Sequence, residues 1–223
     1  MKNTTEMKQY IASGSFDSAL SRLYSETELC EQRDRYVSLA ETFASVYGER
    51  DNIRFFSAPG RTEVCGNHTD HNKGCVLAAG INLDAIACVS ANDDNTVRLK
   101  SVEYPKEDVV DLSVLTPAEE EKEHSASLIR GVAARFVQLG YKIGGFDCVT
   151  TNRVIAGSGL SSSAAFEVLV GTIFNYMYND GKVSAVEIAK IAQYAENVFF
   201  GKPCGLMDEM ASAVGNLVTI DFF

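Results

Sequence analysis

The chain has 223 residues, with a hydrophobic fraction of 46% and a charged fraction of 22%. That is the make-up of a folded chain with one large domain or two small ones, and it excludes intrinsic disorder. Acids outnumber bases 30 to 20, a formal net charge of -10, which a nucleic-acid backbone or an anionic membrane would repel. No window carries the roughly 18 apolar residues that span a bilayer. The opening MKNTTEMKQYIASGS lacks the apolar centre of a secretion signal. The expectation is therefore a cytoplasmic protein with no nucleic-acid or membrane partner. Six cysteines, scattered without the density of a disulfide scaffold, read for the most part as small buried hydrophobes.

Helical spacing covers 15–30, with Leu20, Leu23 and Tyr24 on one stripe, and 31–47, with Tyr36, Leu39, Ala40 and Phe43 on another. Residues 53–58 read as a short strand ending at Pro59-Gly60, and 60–74 as a loop. Apolar, β-branched text over 76–90 and alternation over 96–102 predict two strands paired around Asn92–Asn95. Residues 103–123 hold eight acids and two bases, so most of the net charge belongs to one solvated excursion. A helix over 125–139 and a strand over 146–151 follow. The glycine-serine loop 157–163 comes next, then helices over 164–178 and 184–200 and a strand over 216–222. Strands and helices without regular alternation predict an α+β layer.

Three segments carry chemistry. In Gly157-Ser158-Gly159-Leu160-Ser161-Ser162-Ser163, glycines allow close backbone approach, and free N–H groups at a helix start favour an anion. The loop lacks the Gly-Lys-Ser/Thr ending of a P-loop. An ordinary serine N-cap after a turn explains it equally well. The loop 59–74 concentrates Arg61, Asn67, His68, Thr69 and Asp70, donors and acceptors suited to the hydroxyls of a small polar ligand. The same stretch offers Cys65, His68, His71 and Cys75 as zinc ligands, at spacings unlike paired structural knuckles. On 184–200, Glu196 flanks the apolar stripe of Ile188, Ile191, Ala192, Ala195 and Phe199. It either reaches solvent or meets a divalent ion. Asp208 follows a glycine-proline turn and reads equally as a helix N-cap.

Three segments in order, PGRTEVCGNHTDHNKG, GSGLSSSAAFEV and AENVFFGKPCGLMDEMAS, resemble the galactokinases of the GHMP small-molecule kinase superfamily. The resemblance spreads over roughly residues 30–223. It implies the two-layer α+β amino-terminal domain of that superfamily, with a mixed sheet and helices on one face, and phosphorylation of the galactose C1 hydroxyl by ATP. At matching positions it implies Asp208 as catalytic acid-base and Arg61 as transition-state stabiliser. Asn67, His68, Thr69, Asp70 and Gly205 would bind the sugar. Gly157, Ser158, Gly159, Leu160, Ser161, Ser162 and Ser163 would wrap the ATP phosphates, with Ser101 a further nucleotide contact. Ser163 and Glu196 would hold Mg2+.

The sequence departs from the family at Asn67, where the family has glutamate, at Glu63, where it has asparagine, and at Cys65. Asn67 makes a sugar altered at C6 an alternative substrate, because an amide also donates. A sensor that binds galactose and ATP without catalysis is the other alternative. The complete serine loop and Asp208 favour the enzyme. Family members continue for about as much sequence again, so the resemblance further implies an absent carboxy-terminal domain and a chain weakly active or inactive alone.

Overall fold

The computed structural model describes residues 2–223, apart from the side chain of His71. Seven α-helices are described: α1 (Thr4–Ala12), α2 (Asp17–Leu20), α3 (Leu29–Tyr47), α4 (Ser125–Gln138), α5 (Ser162–Tyr178), α6 (Ala185–Ala195) and α7 (Met207–Val214). Six strands accompany them: β1 (Arg54–Cys65), β2 (Cys75–Ala91), β3 (Thr96–Ser101), β4 (Glu107–Asp111), β5 (Phe146–Asn152) and β6 (Leu217–Asp221). They form one mixed sheet in the order β1-β2-β5-β3-β4, with β6 added to the first half of β2.

The alternation of β2 builds the layers. Ala85, Ala87 and Val89 face the main core with Cys148, Val168, Leu169, Ile173, Ile188 and Ile191. This is the expected two-layer unit, with α4, α5 and α6 on one face of the sheet. Ile86 and Cys88 point the other way, with Val149, and meet Tyr36, Leu39 and Phe43 of α3. A strand with apolar residues on both faces needs cover on both, and α1–α3 supply it as a partial third layer.

One buried polar cluster ties α3 to the sheet. Arg35 Nη1 donates to Asp84 Oδ1 at 2.6 Å, with the two side chains 8% and 4% exposed. Asp84 also accepts from the hydroxyls of Tyr24 and Ser57. Removing one partner of such a pair leaves a buried uncompensated charge. Asp84→Ala is therefore expected to cost about 3–5 kcal/mol, read as a lowered urea midpoint.

Several elements differ from the sequence reading. The 15–30 helix shrinks to α2 and a short 3-10 turn. The first helix instead starts at Thr4, held by a capping box between Asn3 and Glu6. β2 and β3 do not pair: β5 enters between them, antiparallel to β2 and parallel to β3. The acidic excursion contains β4, whose Val110 is fully buried. β1 runs through Pro59-Gly60 to Cys65, with a register shift between Pro59 and Arg61. Gly60 permits this because a Cβ there would strike Val154 and the Leu160 carbonyl. The site residues Arg61 and Glu63 consequently stand on a strand rather than in a loop.

Candidate active site

The site lies where β1, the serine loop and the start of α7 meet. Arg61 is 6% exposed and grips Asp208 in bidentate fashion, Nε to Oδ1 at 2.7 Å and Nη2 to Oδ2 at 2.6 Å. Its Nη1 donates to the Gly159 carbonyl at 2.5 Å, and its backbone N–H to the Leu160 carbonyl at 3.1 Å. One arginine thus joins strand, loop and helix. A planar fork does this where a lysine could not.

The loop turns through positive φ at Gly157, Gly159 and Ser161. Ser161 is the N-cap of α5, yet its side chain makes no capping bond. Its hydroxyl donates to Asp208 Oδ2 instead. The first-turn amides of α5 therefore lack the usual side-chain cap and stay available to an anion. This separates the loop from an ordinary serine cap. Ser158 bonds the Ile155 carbonyl within the turn. Ser162 and Ser163 are half-buried in the first turn of α5. Ser101 ends β3 and donates to Glu103.

Asp70 caps α7 from 136 residues away in sequence. Its Oδ2 accepts from the N–H groups of Leu206 (2.8 Å) and Met207 (2.9 Å). A Cβ on Gly205 would fall on the Asp70 carboxylate, so only glycine lets the two come this close. Asp70 Oδ1 and Thr69 Oγ1 are buried and find no partner among the described residues. His68, Asp70, Cys204, Gly205 and Asp208 line a cavity of about 190 Å³. This is below the roughly 300–1,000 Å³ of sites for drug-sized ligands, and suits a small polar molecule. Asn67 is exposed beside it with φ 58°. A larger cavity of about 520 Å³ lies away from this chemistry, and its Asp84 and Ser57 are committed to the Arg35 cluster.

Behind the cavity sits an acidic cluster. α6 passes into a π-helical turn, Glu196–Phe200, which buries Glu196. Lys202 Nζ approaches Glu196 Oε1 at 3.3 Å, and Cys204 Sγ donates to Glu209 Oε1 at 3.3 Å. Ligand atoms of Glu196, Cys204 and Glu209 lie within 4.8 Å of one another. Glu167 is fully buried, and neither of its oxygens has a partner; nor has Glu209 Oε2. Three buried carboxylates against one lysine fit a hard divalent cation, which takes oxygen ligands. No hydrogen bond joins Ser163 to Glu196 among the described residues. Glu167, Lys202 and Glu209 escaped the sequence reading. A lone carboxylate inside the apolar run Ala164–Phe174 was the available signal. The zinc alternative involves His71, whose side chain lies outside the described residues. Its other histidine, His68, turns to Glu63.

Burial pushes the Glu209 carboxyl up from 4.5 to about 8, with Glu196 and Asp208 adding to the rise, and pushes Glu167 well above the usual carboxylate range. The folded chain thus holds a proton on Glu209 that the unfolded chain has lost between about pH 4.5 and 8. Stability from this group is complete below the lower value and falls as pH rises through the upper one. Glu209→Gln is expected to flatten that decline. In chelator-treated buffer the variant's urea midpoint should exceed the wild type's at pH 8, and the two should converge near pH 4.5.

A mixed sheet backed by α4–α6, with a glycine-serine loop opening a helix against an arginine-aspartate pair, defines the amino-terminal domain of a GHMP-type small-molecule kinase. Family models match as the galactokinase galactose-binding signature over residues 41–91 and the GHMP kinases N terminal domain over residues 127–216. The galactokinase of Clostridium tetani is 39% identical over 178 residues, covering 79% of this chain and 44% of that protein. The galactokinase of Bacillus subtilis is 37% identical over 174 residues, covering 78% and 44%. The crystal structure of Lactococcus lactis galactokinase complexed with galactose superposes with a TM-score of 0.76 at 30% identity, covering 83% of this chain and 48% of that one. The chain is similar to the galactokinases of the GHMP kinases over most of its own length, and spans less than half the length of the curated relatives it matches. No described helix is long and apolar enough to cross a membrane.

Proposed function

We propose that the chain is the sugar- and ATP-binding domain of a cytoplasmic galactokinase, which transfers the γ-phosphate of ATP to the galactose C1 hydroxyl. A carboxy-terminal domain would supply the rest of the cleft. The observation that carries this reading is the Arg61–Asp208 pair at the junction of the serine loop and the small polar cavity. The galactose complex of the Lactococcus lactis relative supports the choice of sugar.

Phosphoryl transfer asks the protein for positioning and charge neutralisation. The backbone of Gly157–Ser163 and the open amides of α5 would hold the phosphates. Asp70 Oδ1, His68, Thr69 and the Gly205 backbone would bind the sugar hydroxyls. Asp208 Oδ1 would accept a hydrogen bond from the C1 hydroxyl, then its proton, as the C1 oxygen bonds to the γ-phosphorus and the bond to the β-phosphate oxygen breaks to release ADP. Arg61 would spread its charge toward the transferring group. Ser163 and Glu196, with the unpartnered carboxylates beside them, would hold Mg2+, which supplies charge neutralisation on the phosphate oxygens. Asn67 leaves room for a sugar altered at C6.

Phosphorus NMR of the chain joined to the carboxy-terminal domain of a full-length relative, with ATP, Mg2+ and galactose, tests the reading. Galactose 1-phosphate forming together with ADP is expected. ADP production indifferent to galactose would overturn it.

A further inference from the structure

The π-helical turn ends at Gly201, whose φ of 86° turns the chain back on itself. The backbone N–H groups of Gly201 and Lys202 both donate to the Glu196 carbonyl, at 3.0 and 3.2 Å. The Lys202 side chain is thereby laid over its own turn, and Nζ donates to Glu196 Oε1 at 3.3 Å. A residue with a Cβ is strained at that φ, so glycine at 201 is what lets the lysine return to the glutamate.

The two partners are unequal. The Glu196 side chain is 4% exposed and that of Lys202 64%. The carboxylate cannot turn to water, and a buried charge left without a partner is costly. The ammonium sits on a flexible four-carbon stem and re-enters water by a change of rotamer. The other groups close to Glu196 are ligands rather than cations. Glu209 and Cys204 bring ligand atoms within 4.8 Å of it, and Glu209 Oε2 is buried without a hydrogen-bond partner. Among the described residues, Lys202 is the only base paired with Glu196.

We propose that Lys202 is a tethered counter-ion, which holds the Glu196 carboxylate in place and yields it to a divalent cation. Filling the site is then an exchange. The ammonium must leave before the ion enters, so Lys202 raises the metal concentration at which the site fills. This rests on the placement of the divalent ion at Glu196 in the reading above, and adds what controls its entry. Lysine suits the exchange because it is a point charge, whereas an arginine fork would grip both carboxylate oxygens and release them less readily.

Mn2+ is the probe, read by the electron paramagnetic resonance of the free ion, with the chain alone and neither sugar nor ATP present. Lys202→Met keeps the stem and removes the charge. It is expected to bind Mn2+ about 10-fold more tightly than wild type, the scale of one unit charge removed from a partly screened site. Lys202→Gln should do the same, and Lys202→Arg should bind no better than wild type. Equal or weaker Mn2+ binding by both uncharged variants overturns the exchange. Glu196→Gln should lose the Mn2+ site; if it keeps wild-type affinity, the ion sits elsewhere, and both the placement at Glu196 and the exchange fall. A second readout separates exchange from a plain structural ion pair. In chelator-treated buffer the urea midpoint of Lys202→Met should lie below that of wild type, and saturating Mn2+ should close the gap. A gap that Mn2+ leaves unchanged contradicts the proposal. Failure to form galactose 1-phosphate would sink the kinase reading without touching either readout.

Discussion

Replacing Asp208 with alanine is expected to slow phosphate transfer from ATP to galactose by about 10²–10⁴-fold, the range for loss of a positioned general base. The reason is the accounting of its lone pairs. Oδ1 accepts from Arg61 Nε, and Oδ2 from Arg61 Nη2 and the Ser161 hydroxyl. Each carboxylate oxygen offers about two acceptor sites, so the free one on Oδ1 faces the cavity beside His68. That is where a C1 hydroxyl would donate. Asp208→Asn keeps the shape but cannot take the proton, and should be nearly as slow as the alanine variant. Steady-state kinetics on both variants, with the folded fraction checked by urea unfolding, measures this. A variant with asparagine at near wild-type kcat would remove proton acceptance from the mechanism.

Arg61→Ala is expected to slow the reaction by about 10³-fold or more, the scale of a guanidinium acting on a transferring phosphoryl group. It should also raise the KM for ATP. Arg61 fixes the serine loop through two hydrogen bonds, from Nη1 to Gly159 and from its backbone N–H to Leu160, and only the first is lost with the side chain. Asp208 would lose both members of its fork, so its carboxylate would swing away from the cavity. Arg61→Lys should recover little of the rate, because a point charge cannot reach Asp208 and Gly159 at once. If lysine restored kcat, charge alone would explain Arg61 and the fork geometry would be incidental.

The sequence marked the polar residues that meet at this site more clearly than the architecture that brings them together. Pro59-Gly60 is a local signal for a chain break, and the strand continues because Val154 and the Leu160 carbonyl approach the α-hydrogens of Gly60. That contact spans about a hundred residues, and no local rule contains it. The pairing of β2 with β5 in place of β3 has the same character, since a turn at Asn92–Asn95 suits either arrangement. Asp70 announced itself as a polar ligand residue. Its bond to the start of α7 depended on the fold returning residue 206 to residue 70. Helix geometry alone favoured solvent for Glu196; burial beside Glu167 and Glu209 puts it in the interior. The helices α4 and α5 and the strands β5 and β6 were legible because their periodicity is strong and their neighbours do not compete for the same pairing.

A crystal structure with galactose and a non-hydrolysable ATP analogue tests the central claim most directly. The account predicts the γ-phosphate over Gly157–Ser163 and the C1 hydroxyl within hydrogen-bond reach of Asp208 Oδ1, with Asp70 Oδ1 on another sugar hydroxyl. Sugar or nucleotide seated elsewhere, in the cavity lined by Ser57 and Asp84 for example, with Arg61 and Asp208 untouched, would contradict it.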